Sequence, residues 1–212
     1  MKRKNRKKLY AAIGMLAVFL LWTVSLLWID VQKIGESAVG FATLNGFVHD
    51  QIGVNMTLYT ITDWLGLVPF GFVLVFGVLG LVQWIKRKHF LQVDQSLLIL
   101  GGFYLVVMGA YLLFEIFPVN YRPVLINGAL EASYPSSTTM LVMCVIPTGV
   151  MQLQNRIAGN LLRRLISALL YGFLIFMVLG RILAGVHWIT DIIGGALLST
   201  SLVQFYCYLV NE

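Results

Sequence analysis

Four stretches of this 212-residue sequence run for about 20 residues without a charged side chain: residues 9–29, 64–85, 95–114 and 192–211. A helix needs roughly 20 apolar residues to cross a bilayer, whereas a barrel strand needs only about 9–11. In hydrocarbon every backbone amide must be satisfied within the chain, so runs of this length predict membrane-spanning helices. Composition agrees: 59% of residues are hydrophobic and 11% charged, against about 25% charged in soluble domains. Two weaker runs complete the pattern, one interrupted by Pro147. The expectation is an all-α, polytopic membrane protein, a six-transmembrane-helix bundle forming a single domain over residues 1–212. Its spans fall at about 9–29, 64–85, 95–116, 137–154, 165–184 and 188–211.

Charge then sets the orientation. The opening MKRKNRKK and its apolar run resemble a secretion signal, but the run exceeds the usual 7–15 residues and lacks a small-residue cleavage site. It reads as a retained anchor. Twelve of the fifteen Lys and Arg residues fall in the N-terminal tail, at Lys86–Lys88 and at Arg156, Arg163 and Arg164. Six spans put all of these on one side, which the positive-inside rule makes cytoplasmic. Both termini are therefore expected in the cytoplasm. Lys33, Arg122 and Arg181 fall outside, with Asp30, Glu36, Asp50, Asp63, Glu115, Glu131 and Asp191. The net charge of +6 thus reflects sidedness, and no nucleic-acid partner is implied. Cys144 and Cys207 sit in apolar spans as small hydrophobes. The mixed segment from Asp30 to Asp63 reads as an amphipathic cover on the outer face. No oligomerisation signal stands out.

Chemistry concentrates in two outer segments. GRILAGVHWITD, Gly180 to Asp191, sets Arg181, His187 and Asp191 beside apolar spans. Ionisable clusters in such a setting usually mark function. On a helix, His187 and Asp191 share a face, so the carboxylate would accept a hydrogen bond from one ring nitrogen and leave the other free. Gly185 offers a break that lets Arg181 end one helix and approach His187 in space. The second segment supplies Arg122 and then Pro135-Ser136-Ser137-Thr138-Thr139. Two arginine forks suit a phosphoryl group, and hydroxyls at a helix start add anion-binding donors. The same serines and threonines also serve as an ordinary helix cap. Gly194-Gly195 and Ala184-Gly185 suit close helix packing.

These residues resemble the signatures of the type-2 phosphatidic acid phosphatase superfamily of membrane lipid phosphatases. Arg181-x5-His187-x3-Asp191 resembles the third signature. Arg122-Pro123 resembles the end of the first, Lys-x6-Arg-Pro, and PSST at Pro135 to Thr138 occupies the place of Pro-Ser-Gly-His. The resemblance implies phosphoester hydrolysis on the extracytoplasmic side with no metal and no cofactor. His187 would attack phosphorus and become a phosphohistidine, with Asp191 orienting it. Arg122, Arg181, Ser136, Ser137 and Thr138 would surround the phosphoryl oxygens. The implied partners are the bilayer and a membrane lipid phosphate.

Three positions depart from the pattern, one of them Ser137, which stands where the family has glycine. Glu115 stands where the family has lysine, and Thr138 stands where it has the histidine that protonates the leaving group. General acid catalysis is worth typically about 10²–10⁴-fold, and a threonine hydroxyl does not supply it at neutral pH. A leaving phosphate monoester needs no such help, because its second pKa is about 6. The expected substrate is therefore a lipid diphosphate, such as a polyprenyl diphosphate, ahead of phosphatidic acid. His49 and Glu131 are alternative outer-face proton donors that the sequence does not position. A phosphotransferase using the same nucleophile, and a non-catalytic lipid-phosphate binder, scaffold or transporter, remain compatible with the sequence.

Overall fold

The computed structural model describes residues 2–35 and 37–211, so Glu36 lies outside the described residues. Among the described residues eight α-helices carry the fold: α1 (Lys2–Leu26), α2 (Ala42–Ile52), α3 (Met56–Leu65), α4 (Val68–Arg87), α5 (Gln95–Ile116), α6 (Ser137–Gln154), α7 (Asn160–Leu183) and α8 (Ile189–Val210). A short antiparallel pair, β1 (Gln32–Ile34) with β2 (Ser37–Val39), sits between α1 and α2.

Among the described residues, five segments are long and apolar enough to cross a membrane: Asn5–Leu26, Met56–Arg87, Gln95–Ile116, Asn160–Leu183 and Ile189–Val210. The chain is thus a mostly helical, multi-pass membrane protein. The second segment joins α3 to α4 and starts earlier than the expected residue 64. Pro69 opens α4, where its missing N–H costs nothing.

α6 is not among the five, for a physical reason. Ten of its residues are buried, including Thr139, Thr148 and Gln152, because it packs against α4, α5, α7 and α8. A helix enclosed by protein has no need of a continuous apolar surface. Its 18 residues span roughly 27 Å at 1.5 Å per residue, close to the thickness of the hydrocarbon layer.

α1 and α8 pack antiparallel. Lys8 Nζ reaches Cys207 O at 3.5 Å at one end, Ser201 Oγ donates to Ala12 O at 2.8 Å, and Trp22 Nε1 donates to Thr190 O at 3.2 Å at the other. The basic end is tied by Asp94, which faces Arg87 at 3.1 Å and Arg156 at 3.7 Å. The opposite end holds the turns after α5 and α7.

The segment expected as an amphipathic cover folds as β1, β2, α2 and α3, laid over the turn between α7 and α8. Buried Asn45 fixes it, donating to Gly40 O at 2.8 Å and Thr190 Oγ1 at 3.0 Å. Asn55 N–H donates to Ala184 O at 3.0 Å. Gly53 and Gly185 touch backbone to backbone: a Cβ on Gly185 would lie 1.9 Å from Gly53 O.

Candidate active site

The α7–α8 turn is built by its glycine. Arg181 lies in the last turn of α7, and Gly185 takes a φ of +66°, which reverses the chain after Ala184. Val186 and His187 form a bend and Trp188 is extended before α8 begins at Ile189. Asp191 occupies the first turn of α8, where its carboxylate accepts the Trp188 N–H at 2.9 Å. An acid there completes a cap and complements the positive end of the helix dipole.

His187 is therefore outside the helix, and its relation to Asp191 differs from the expectation. Nδ1 stands 3.9 Å from Asp191 Oδ2, beyond hydrogen-bond reach. The carboxylate is occupied elsewhere: besides Trp188 N–H, it accepts the Ser133 hydroxyl, and Asn120 Nδ2 lies 3.4 Å from Oδ1. Asp191 thus holds three segments together and faces the ring as a neighbouring charge.

The other ring nitrogen faces cations. Arg181 Nη2 lies 3.0 Å and Arg122 Nη1 3.3 Å from His187 Nε2. Guanidinium groups only donate, so Nε2 must present its lone pair and the ring proton belongs on Nδ1. Burial holds the imidazole well below its ordinary range, and Arg122 and Arg181 push the same way; the Ser133 backbone works weakly against them. The ring is therefore neutral, with its Nε2 lone pair turned toward the two guanidinium groups.

Each arginine is held from behind. Arg181 is buried, with Nη1 3.4 Å from Thr62 Oγ1 and 3.8 Å from Asp63 Oδ1. Gly180 permits this approach, since a Cβ there would meet the Thr62 methyl at 2.7 Å. Arg122 Nε lies 3.0 Å from Glu131 Oε2. Tyr59 serves both, its ring centre 5.1 Å from Arg181 Cζ and 5.8 Å from Arg122 Cζ.

Arg122 and Glu131 belong to one small hairpin. Tyr121 pairs with Ala132 and Ile126 with Ala129, and the tip residues Asn127 and Gly128 have φ of 50° and 79°. Three outgoing residues, Pro123 to Leu125, oppose the single Leu130 on the return. The buried side chain of Ile126 packs with Ala184 and Val186 beside the His187 turn.

The remaining expected residues are placed less centrally. Ser136 is fully buried, its N–H donates to Asp191 O at 3.0 Å, and its hydroxyl has no protein partner. Ser137 and Thr138 begin α6 and are half-buried, with no recorded contact to His187. Gly194 and Gly195 bring α8 against this turn; a Cβ on Gly194 would overlap the Tyr134 ring at 2.3 Å. Glu115 is exposed at the end of α5 and shares a shallow depression with Ser137. His49 lies with its ring 5.5 Å from that of Trp188 and lines a small cavity that also reaches His187. Among the described residues, no group of three or more His, Cys, Asp or Glu side chains is arranged to hold a metal.

Tyr59, Thr62, Ser133 and Asn120 were not legible in the sequence as members of the site, Asp63 had no role there, and Glu131 was expected only as an alternative proton donor and not as the partner of Arg122. An Asn-Gly pair between apolar residues is a strong hairpin signal. Applied at Asn127-Gly128, it sets Arg122 near Glu131.

At one end of this multi-pass helical membrane protein an imidazole and two guanidinium groups thus meet. The profile of the PAP2 superfamily matches residues 71–212, and the chain belongs to that superfamily. A crystal structure described as the first transmembrane PAP2-type phosphatidylglycerolphosphate phosphatase, from Bacillus subtilis, superposes with a TM-score of 0.63 over 93% of this chain and 94% of that one. The two are 16% identical, so the likeness is one of fold. No curated protein matches the sequence.

Proposed function

We propose that this protein is a lipid phosphatase whose nucleophile is His187 Nε2, acting without metal through a phosphohistidine. The observation that carries the reading is the pair of guanidinium groups at 3.0 and 3.3 Å from a single ring nitrogen. A phosphoryl group entering there would replace these contacts with bonds from each arginine to its oxygens. Phosphoryl transfer depends mainly on such positioning and charge stabilisation.

In this reading Arg122 and Arg181 bind the phosphoryl oxygens, with Ser136 and the first turn of α6 at Ser137 and Thr138 supplying further donors. Asp191 keeps the ring's setting rigid and offsets its developing charge. α6 is counted as the sixth span of one domain. Both termini then lie in the cytoplasm and His187 on the extracytoplasmic side, in agreement with the clustering of basic residues at the opposite end. The preferred substrate is a lipid diphosphate, for which the missing acid at Thr138 matters least.

The test is phosphate release by the reconstituted protein from a polyprenyl diphosphate and from phosphatidic acid, beside His187→Ala. Release that is faster from the diphosphate, resists EDTA and is lost in the variant supports the reading. Equal rates on the two lipids sink the diphosphate preference. No release from either, with binding intact, makes the protein a binder.

A further inference from the structure

Hydrolysis through a phosphohistidine has a second half, in which water must lose a proton as it attacks phosphorus. Thr138, at the position matching the signature histidine, has no basic group for this. Asp63 stands where that group is needed. Nη2 of Arg181 reaches His187 Nε2 at 3.0 Å, while Nη1 of the same guanidinium faces Asp63 Oδ1 at 3.8 Å. One guanidinium therefore contacts both the imidazole and the carboxylate, so a phosphoryl group carried on Nε2 and gripped by Arg181 would share that cation with Asp63.

Access agrees. The Asp63 side chain is 57% exposed, whereas those of Arg181 and His187 are each 1% exposed. Asp63 is thus the outward-facing member of a contact whose other partners are buried. The end of α3 also adjoins the first turn of α6: a Cβ on Gly66 would lie 2.9 Å from Asp63 O and 3.7 Å from the Thr138 methyl. Gly66, one helical turn after Asp63, is in this way the neighbour of Thr138. Glu131, the other rim carboxylate, faces Arg122 Nε and not the Nη1 that meets His187.

We propose that Asp63 is the general base for hydrolysis of the phosphoenzyme, an inference that rests on the phosphohistidine reading above. The water oxygen bonds to phosphorus as the Nε2–P bond breaks, and its proton passes to the Asp63 carboxylate. The electron pair of the broken bond returns to Nε2, inorganic phosphate departs, and Asp63 gives its proton to solvent. Such a base is worth about 10²–10⁴-fold.

The experiment uses the full chain in nanodiscs with polyprenyl diphosphate labelled on its terminal phosphate, followed by rapid quench. Asp63→Asn is expected to keep the initial burst of label onto His187 while steady turnover falls about 10²-fold or more, so that phosphoenzyme accumulates. Asp63→Glu should recover part of the turnover, and Glu131→Gln should accumulate none. Unchanged turnover in Asp63→Asn overturns the proposal. So does parallel loss of burst and turnover, which would make Asp63 only a support for Arg181. Phosphate release with no label on wild-type His187 overturns the covalent reading and this inference together, and activity persisting in His187→Ala identifies that case.

Discussion

Arg122 and Glu131 meet twice across one hairpin: the Arg122 N–H donates to Glu131 O at 3.0 Å, and the two side chains form an ion pair at the same distance. The backbone contact sets where the guanidinium starts, and the carboxylate sets where it points. With Glu131 40% exposed, the pair is a modest contributor of about 0–1 kcal/mol. Glu131→Gln is accordingly expected to raise KM up to about fivefold with little change in kcat, measured by steady-state phosphate release.

His187→Ala is expected to lower kcat by about 10⁴-fold or more, as removal of a nucleophile does in other covalent mechanisms. Affinity for a non-hydrolysable lipid phosphonate should survive, since both arginines remain. A variant that retains turnover would leave the imidazole without a chemical role.

The pH dependence follows from the neutral ring. Burial and two cations depress the pKa of His187, so the active form persists below the ordinary histidine value of about 6.5. The acid limb of kcat/KM should therefore lie below that value. Arg122→Gln removes one repelling cation, raises the ring pKa and moves the limb to higher pH, in addition to weakening binding. A limb that stays fixed in the variant would separate it from His187.

Asp191→Ala should cost stability as well as activity. Its carboxylate serves the Trp188 N–H and the Ser133 hydroxyl, with the Asn120 amide nearby, and a buried donor left unpaired costs about 1–3 kcal/mol. A lower thermal transition in detergent than that of His187→Ala is the expected result.

Gly185→Ala should disable the turn. The backbone is left-handed there, and the added methyl would sit 1.9 Å from Gly53 O. Strain of this kind costs on the order of 1–3 kcal/mol before the clash is counted. The expected outcome is a destabilised protein with reduced turnover, seen by thermal melting and activity.

How much of this was legible in the sequence follows from what each element faces. Helices with long outward faces, α1, α4 and α5, must be apolar there and show plainly. α8, though packed against α1 and α6, shows because residues 192–211 carry no charge. α6 is surrounded by other helices, and its interior Thr148 and Gln152 obscure it. The spacing of Arg181, His187 and Asp191 pointed to one site, but the helical geometry assumed for the last two failed. α8 starts only at Ile189, so the ring approaches from the loop. Tyr59, Thr62 and Asp63 were silent because they act across some 120 residues, as in the Thr62–Arg181 contact at a separation of 119. No local periodicity encodes such a meeting.

The Asn127-Gly128 hairpin behaves as a lever arm. Its tip is lodged through Ile126 against Ala184 and Val186, and its root carries Arg122, one of the two guanidinium groups at His187 Nε2. If Arg122 holds the phosphoryl group as proposed, a displacement of the tip would be expected to shift that guanidinium, tying passage along this side of the site to its hold on the substrate.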